Sequence, residues 1–193
     1  MVVVKGIVAR RCLAGFALAI GLVLASTVLV TRLDASSVTP WKTDIAYGTD
    51  PAQALDIYRP EIGGPMALYI HGGGWWSGDK QYVDSAMVRY LLDRGIGFVT
   101  INYRNLPQAK RDNVFPPLLA PLQDARRALE YIRRNRDELQ LDPARIAVFG
   151  SSSGGFNALW LGLSQSLPGT DVAAESVRAI AGIDAQTSID PQQ

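Results

Sequence analysis

Two glycine-rich stretches of this sequence contain residues that could carry out nucleophilic chemistry. The first, VFGSSSGGFNALW at 148–160, places three serines between glycines, where an apolar run meets a helical pattern. Only Ser152 has glycines two positions before it and two after it, Gly150 and Gly154, which satisfies G-x-S-x-G. In a strained turn between a strand and a helix, this spacing exposes a serine hydroxyl at the tip. The pattern alone is weak, because glycine turns also form for packing or for phosphate binding.

The second stretch, YIHGGGWWSGDK at 69–80, follows another apolar run. Three consecutive glycines leave backbone N–H groups free of side chains, so these groups can converge on one negative charge. The alternative is a phosphate-binding P-loop, since Gly73 and Gly78 have its glycine spacing. Asp79 occupies the position where a P-loop needs a lysine, and its carboxylate would repel phosphate. The stretch therefore favours an anion-binding loop beside a serine over a nucleotide site.

A nucleophilic serine needs a base that takes its proton, and a third group must orient that base. The chain has one histidine, His71, directly before the three glycines. Its residue type allows two interpretations: the base itself, or a structural residue that braces the glycine loop. After Ser152 the sequence offers acids but no histidine; the acids are Asp171, Glu175, Asp184 and Asp190.

The segments around the two loops alternate between strand and helix patterns. Strands covered on both faces are predicted where successive residues are apolar, at 66–71, 97–103, 145–150 and 177–183. Helical periodicity lies between them, at 79–93, 117–136 and 153–166, and the first of these helices carries Val83, Met87, Tyr90 and Leu91 on one face. Two short alternating segments, TDIAYG and QALDIYRP, predict an antiparallel hairpin before them. We therefore predict an α/β fold with a mainly parallel sheet, whose site lies where loops leave the carboxyl ends of strands.

Composition excludes several classes of function. The 193 residues carry 19 basic and 18 acidic side chains, a net charge of +1 that provides no basic surface for nucleic acid. The single cysteine, Cys12, excludes an internal disulfide, and the single histidine excludes a clustered Cys/His metal site. We expect neither a metal nor a cofactor.

Residues 1–31 have the pattern of an export signal. Basic residues (Lys5, Arg10 and Arg11) precede a run from 12 to 31 that contains no charge and is long enough to span a bilayer. A cleaved signal peptide and an uncleaved signal anchor both fit. We expect the protein to be exported, either secreted or periplasmic or held in the membrane, with membrane contact only through residues 12–31. Residues 32–41 have the composition of a linker, and the folded domain is expected over 42–193.

The two loops and their flanking segments resemble the esterases and lipases of the α/β-hydrolase fold, in the hormone-sensitive-lipase-like and feruloyl or acetylxylan esterase-like branch. The similarity covers about residues 42–190 and lies in LDIYRP, HGGGWWSGDK and LDPARIAVFGSSSGG. It implies a serine carboxylic-ester hydrolase that forms an acyl-enzyme on Ser152. It also implies an oxyanion hole made by the N–H groups of Gly73, Gly74 and Ser153. His71 would then brace the loop, as the histidine of this motif does in that family.

The resemblance also bears on the missing base and on the substrate. In that family the triad acid and histidine follow later strands, so we expect this chain to be the N-terminal, incomplete part of a longer esterase. It would be a fragment, a truncated reading frame or a degenerate copy. The expected substrate is a small acyl ester, with a plant polysaccharide as one candidate carrier of the acyl group. The alternative is a catalytically inactive binding module that keeps the hydrolase architecture; the oligomeric state is left open.

Three other residues have expected roles. Asp124, on an otherwise basic and apolar helix, is expected to be a structural hydrogen-bond acceptor rather than a catalytic acid. Trp75 and Trp76 could line an acyl or aromatic pocket, with at least one of them packed in the core.

Overall fold

The computed structural model describes residues 38–59, 64–142, 145–164 and 177–186. The strands are β1 (Lys42–Ala46), β2 (Ala54–Tyr58), β3 (Met66–Ile70), β4 (Gly97–Ile101), β5 (Ile146–Ser151) and β6 (Val177–Ile183). The helices are α1 (Ser85–Leu92), α2 (Leu106–Arg111), α3 (Leu119–Arg134), α4 (Arg136–Leu139) and α5 (Ser153–Leu163). The predicted export signal lies outside the described residues, as does the linker up to residue 37.

The strands form one mixed sheet in the order β1-β2-β4-β3-β5-β6. β1 pairs antiparallel with β2, and β2 pairs antiparallel with β4, whereas β4, β3, β5 and β6 are parallel neighbours. This arrangement confirms the predicted α/β fold, with its mainly parallel sheet and its N-terminal hairpin. Because β3, β4 and β5 point the same way, the loops that follow them meet at one edge of the sheet.

The central strands β3 and β4 are buried along their whole length, because apolar side chains cover both faces of the sheet. Alternate residues face opposite sides, as the pleat requires. Leu68 and Val99 pack with residues of α3 and α5, among them Ile132 and Leu161. Ala67, Tyr69 and Phe98 pack on the other side with Val88 of α1. Each fully buried aliphatic side chain stabilises this layered core by about 1.5–3 kcal/mol.

The helix expected over 79–93 is shorter than predicted, and the prediction was wrong for one residue of its apolar face. Asp84 caps the helix by accepting a hydrogen bond from the N–H of Ala86 at 2.8 Å, so α1 begins only at Ser85. Tyr90 is exposed rather than buried, and the guanidinium of Arg94 lies 3.5 Å from the centroid of its ring. Helical periodicity predicts Tyr90 on the apolar face, but in the structure its ring lies at the surface, where the cation–π contact with Arg94 stabilises it.

Beside β5, β6 is largely exposed along its length. Over the described ranges, no helix is both long enough and apolar enough to cross a membrane.

Candidate active site

Ser152 occupies the turn between β5 and α5 in a conformation that non-glycine residues rarely adopt. Its backbone angles are φ 51° and ψ −121°. Its N–H donates to the carbonyl oxygen of Ile183 in β6 at 2.9 Å, and its own carbonyl accepts from the N–H of Phe156 at 3.1 Å. Ser152 is exposed, whereas Ser151 is half-buried and Ser153 is fully buried. Of the three adjacent serines, Ser152 alone presents its hydroxyl at the tip of the turn.

The glycines around this turn are required by close backbone approach. A Cβ added at Gly154 would lie 2.1 Å from the carbonyl oxygen of Ile70 and 2.3 Å from that of His71. A Cβ at Gly150 would lie 2.4 Å from the carbonyl oxygen of Gly154. No side chain fits at these distances. The first turn of α5 therefore lies directly against the end of β3, where the glycine loop begins.

The glycine loop reaches the serine turn at Gly72, where an added Cβ would lie 3.2 Å from the Cβ of Ser152. The next two residues, Gly73 and Gly74, have φ values of +119° and +62°, which favour glycine. The N–H groups of Gly73, Gly74 and Ser153 donate no hydrogen bond to another described residue. Ser153 is also the first residue of α5, where the helix dipole favours negative charge. Within the described part of the chain, these three donors are therefore free at the junction of the two loops.

His71 is buried under the glycine loop, and the contacts of its ring are with that loop and its neighbours. Its Nδ1 lies 2.7 Å from the carbonyl oxygen of Gly72, which can only accept, so this nitrogen carries the proton. The ring stacks on Tyr103 with centroids 4.4 Å apart, and the Tyr103 hydroxyl donates to the His71 carbonyl at 2.8 Å. Burial lowers the pKa of His71, although the hydrogen bond to Gly72 and interactions with Asp79 and Asn102 oppose that shift.

Trp75 connects the glycine loop to α5 through contacts that sequence analysis did not predict. It is buried and has φ 60°, and its backbone N–H donates to Ser153 Oγ at 3.3 Å. Its indole N–H donates to Asn157 Oδ1 at 2.9 Å, and its ring meets that of Phe156 edge-on at 5.6 Å. The adjacent Trp76 is 60% exposed, so only Trp75 packs in the core.

Asn157 is the residue from which the sequence could have indicated this contact. It is a polar amide in an otherwise apolar helical segment, and the structure buries it fully. Its Oδ1 accepts from Trp75, but its Nδ2 has no partner among the described residues. An unsatisfied buried donor costs about 1–3 kcal/mol. The amide at this position is therefore explained by the indole hydrogen bond and not by helix packing.

Lys80 fixes the far end of the glycine loop to the N-terminal hairpin. Its ammonium is buried and lies 2.8 Å from Asp44 and 2.9 Å from Asp56. Burial by itself would lower the pKa of Lys80, but the hydrogen bonds to Asp44 and Asp56 and the negative charges of these carboxylates together outweigh burial and raise it. The Lys80 carbonyl also accepts from Thr100 Oγ1 in β4 at 3.0 Å. The loop is thus held at its start by His71 and at its end by this cluster.

Asp124 has the contacts expected of a structural acceptor. It is fully buried in α3 and accepts from Gln53 Nε2 at 2.6 Å. Arg104, in the loop after β4, donates three further hydrogen bonds to its carboxylate, from the backbone N–H and from two guanidinium nitrogens at 2.7–3.0 Å. All four contacts are structural, and they hold the loop after β4 against α3.

A polar cavity of about 340 Å³ lies on the β4 side of the glycine loop, and its lining includes His71, Asp79, Asn102, Asn105 and Gln108. Ser152 does not line it. The described part of the chain contains no group of three His, Cys, Asp or Glu side chains that could hold a metal ion.

Comparison with known proteins shows that the chain is similar to ester hydrolases. The chain is 29% identical over 150 residues to esterase LipC of Mycobacterium tuberculosis, covering 72% of this chain and 36% of LipC. It is 34% identical over 118 residues to the probable carboxylic ester hydrolase LipM of the same organism, covering 58% of this chain and 26% of LipM. The matched part of the chain therefore spans 36% of the length of LipC and 26% of the length of LipM.

A solved structure titled bacterial heroin esterase superposes with a TM-score of 0.54 and 29% identity, covering 77% of this chain and 45% of that one. Residues 55–188 match the family described as BD-FAE. The chain therefore belongs to the BD-FAE family and has the α/β-hydrolase fold that its sequence predicts.

Proposed function

We propose that this chain supplies the nucleophile and the oxyanion hole of a serine carboxylic-ester hydrolase acting on small acyl esters. The observation that carries the proposal is the exposed Ser152, strained at φ 51°, beside a glycine loop with free N–H groups. The ester class is supported by relatives named as an esterase and a probable carboxylic ester hydrolase. The pattern of residues 1–31 supports the further proposal that the protein is exported.

In the proposed reaction, Ser152 Oγ gives up its proton to a base and attacks the acyl carbonyl carbon, whose oxygen takes up the negative charge. The N–H groups of Gly73, Gly74 and Ser153 would stabilise that charge, each such donor contributing on the order of 10²–10³ in rate. Collapse of the intermediate expels the alcohol, which takes up a proton, and leaves the acyl group on Ser152. Water then attacks the acyl-enzyme and releases the acid.

The base for these proton transfers is, in our proposal, not provided by this chain. The single histidine is buried, and its Nδ1–H is bound to the carbonyl of Gly72. The same observation favours the second candidate function, a hydrolase-fold binding module without turnover. The two differ in whether Ser152 reacts with an acyl-like electrophile once a soluble base is present.

The test is to treat the chain with a fluorophosphonate in the presence of imidazole and to map the adduct by mass spectrometry. We expect phosphonylation of Ser152 alone, unchanged in the matched control Ser151→Ala and absent in Ser152→Ala. An adduct on Ser151 or Ser153, or labelling that survives Ser152→Ala, would refute the assignment of the nucleophile. A folded chain without any adduct would favour the binding module.

A further inference from the structure

Trp75 occupies a position between the two loops that neither loop motif explains. It follows Gly74 directly, so the Gly74 Cα is the single link between the peptide that carries the Trp75 N–H and the peptide that carries the Gly74 N–H. Its positive φ of 60° is a strained conformation for a bulky side chain, and such strain persists only where surrounding contacts impose it. Two of those contacts come from α5, the helix that begins beside Ser152.

Two hydrogen bonds join Trp75 to successive turns of α5. The backbone N–H donates to Ser153 Oγ, and the indole N–H donates to Asn157 Oδ1 four residues further along the helix. Ser153 and Asn157 are both fully buried, so water cannot replace either contact. The Tyr103 hydroxyl donates to the His71 carbonyl, which fixes the start of the same loop.

Resting on the proposed function, we propose that Trp75 is a positioning residue for the oxyanion hole. Its hydrogen bonds to Ser153 and Asn157 hold the glycine loop against α5, so that the Gly73 and Gly74 N–H groups stay aimed at the acyl oxygen on Ser152. Ser153 then has two roles. Its backbone N–H is a proposed donor of the oxyanion hole, and its hydroxyl positions the glycine loop by accepting from the Trp75 N–H.

The experiment replaces the nucleophile by one that needs no histidine. In the Cys12→Ser and Ser152→Cys background, the thiol at position 152 is the only one in the chain. Its acylation by p-nitrophenyl acetate passes through an oxyanion, whereas its alkylation by iodoacetamide displaces iodide and forms none. Both reactions need the thiolate. The ratio of the two rates therefore reports the oxyanion hole independently of the thiol pKa.

We expect this ratio to exceed that of glutathione by about 10²-fold, the effect of one or more oxyanion donors. Trp75→Phe keeps an aromatic ring but removes the indole N–H, and Ser153→Ala removes the other acceptor while leaving its own backbone N–H. Each should lower the ratio about 10-fold, as displacement of catalytic groups by a fraction of an ångström does, with alkylation unchanged within about 2-fold. The matched control Trp41→Phe removes an indole N–H outside the site and should leave the ratio unchanged.

Ser153→Ala, the smaller change, decides the outcome if Trp75→Phe loses its near-ultraviolet circular dichroism and does not fold. An elevated ratio that Ser153→Ala and a folded Trp75→Phe leave unchanged would overturn the positioning role while leaving the proposed function intact. A ratio equal to that of glutathione in the background chain itself would instead overturn the oxyanion hole, and with it the proposed function.

Discussion

Replacing Arg104 by glutamine should strongly destabilise the fold, because it removes the guanidinium that binds both oxygens of a fully buried carboxylate. Asp124 has no exposed surface, and the Arg104 side chain is only 13% exposed. The guanidinium binds both carboxylate oxygens, with Nε 2.9 Å from Oδ2 and Nη2 2.7 Å from Oδ1. The hydrogen bonds to Asp124 raise the pKa of Arg104 further above its usual value, as expected of a tight pair.

The expected loss in the free energy of unfolding depends on which hydrogen bonds to Asp124 remain after the substitution. Removing one partner of a buried ion pair costs about 3–5 kcal/mol, because the other charge stays buried without compensation. Two donors to Asp124 survive in Arg104→Gln, the Gln53 amide and the backbone N–H of residue 104. The loss in the free energy of unfolding should therefore lie at the lower end, about 3 kcal/mol.

Arg127 provides the matched control, since it approaches the same carboxylate from the surface. Its Nη1 lies 3.7 Å from Asp124 Oδ1, and its side chain is 47% exposed. Solvent screening reduces such a pair to at most about 1 kcal/mol. Urea unfolding followed by tryptophan fluorescence at pH 7 gives both values. Equal losses for Arg104→Gln and Arg127→Gln, or a loss below about 1 kcal/mol for Arg104→Gln, would refute the assignment of Asp124 as a buried structural anion.

Two further predictions concern His71 and Ser152. Burial lowers the pKa of His71 in the folded chain below its ordinary 6.5, so the unfolded chain binds the proton first as pH falls. The free energy of unfolding should be fully maintained above pH 6.5 and should decline below it, and His71→Asn should flatten that decline; equal slopes in both proteins would contradict this. The chain alone should hydrolyse p-nitrophenyl acetate no more than about 10³–10⁴-fold over water, with little change in Ser152→Ala. Substantial turnover that Ser152→Ala abolishes would contradict it, and His71→Ala would then test whether His71 is the base.

The sheet and the position of the two loops could be predicted because their signals are local in the sequence. Apolar runs such as 66–71 and 97–103 predict strands covered on both faces, and β3 and β4 are buried throughout. The motif around Ser152 contains its own steric explanation, since Gly150 and Gly154 leave no room for a side chain. The start of α1 was harder to predict, because helical periodicity continues through the turn before the Asp84 cap.

The contacts that position the glycine loop could not be predicted, because their partners are distant in sequence. Trp75 and its two acceptors, Ser153 and Asn157, are separated by 78 and 82 residues. Lys80 and Asp56 are 24 residues apart on elements whose adjacency depends on strand order. A buried polar residue such as Asn157 indicates that a partner exists, but only the topology identifies it.

The two strained residues of the site explain why these distant contacts are needed. Ser152 and Trp75 both have positive φ, and each such residue costs on the order of 1–3 kcal/mol unless its surroundings hold it. Trp75 is held by α5 and by the N–H of Leu106, which donates to its carbonyl at 2.8 Å. Ser152 is held on one side by the carbonyl of Ile183, at the end of the exposed strand β6. The conformation of the proposed nucleophile therefore depends on the pairing of β6 with β5.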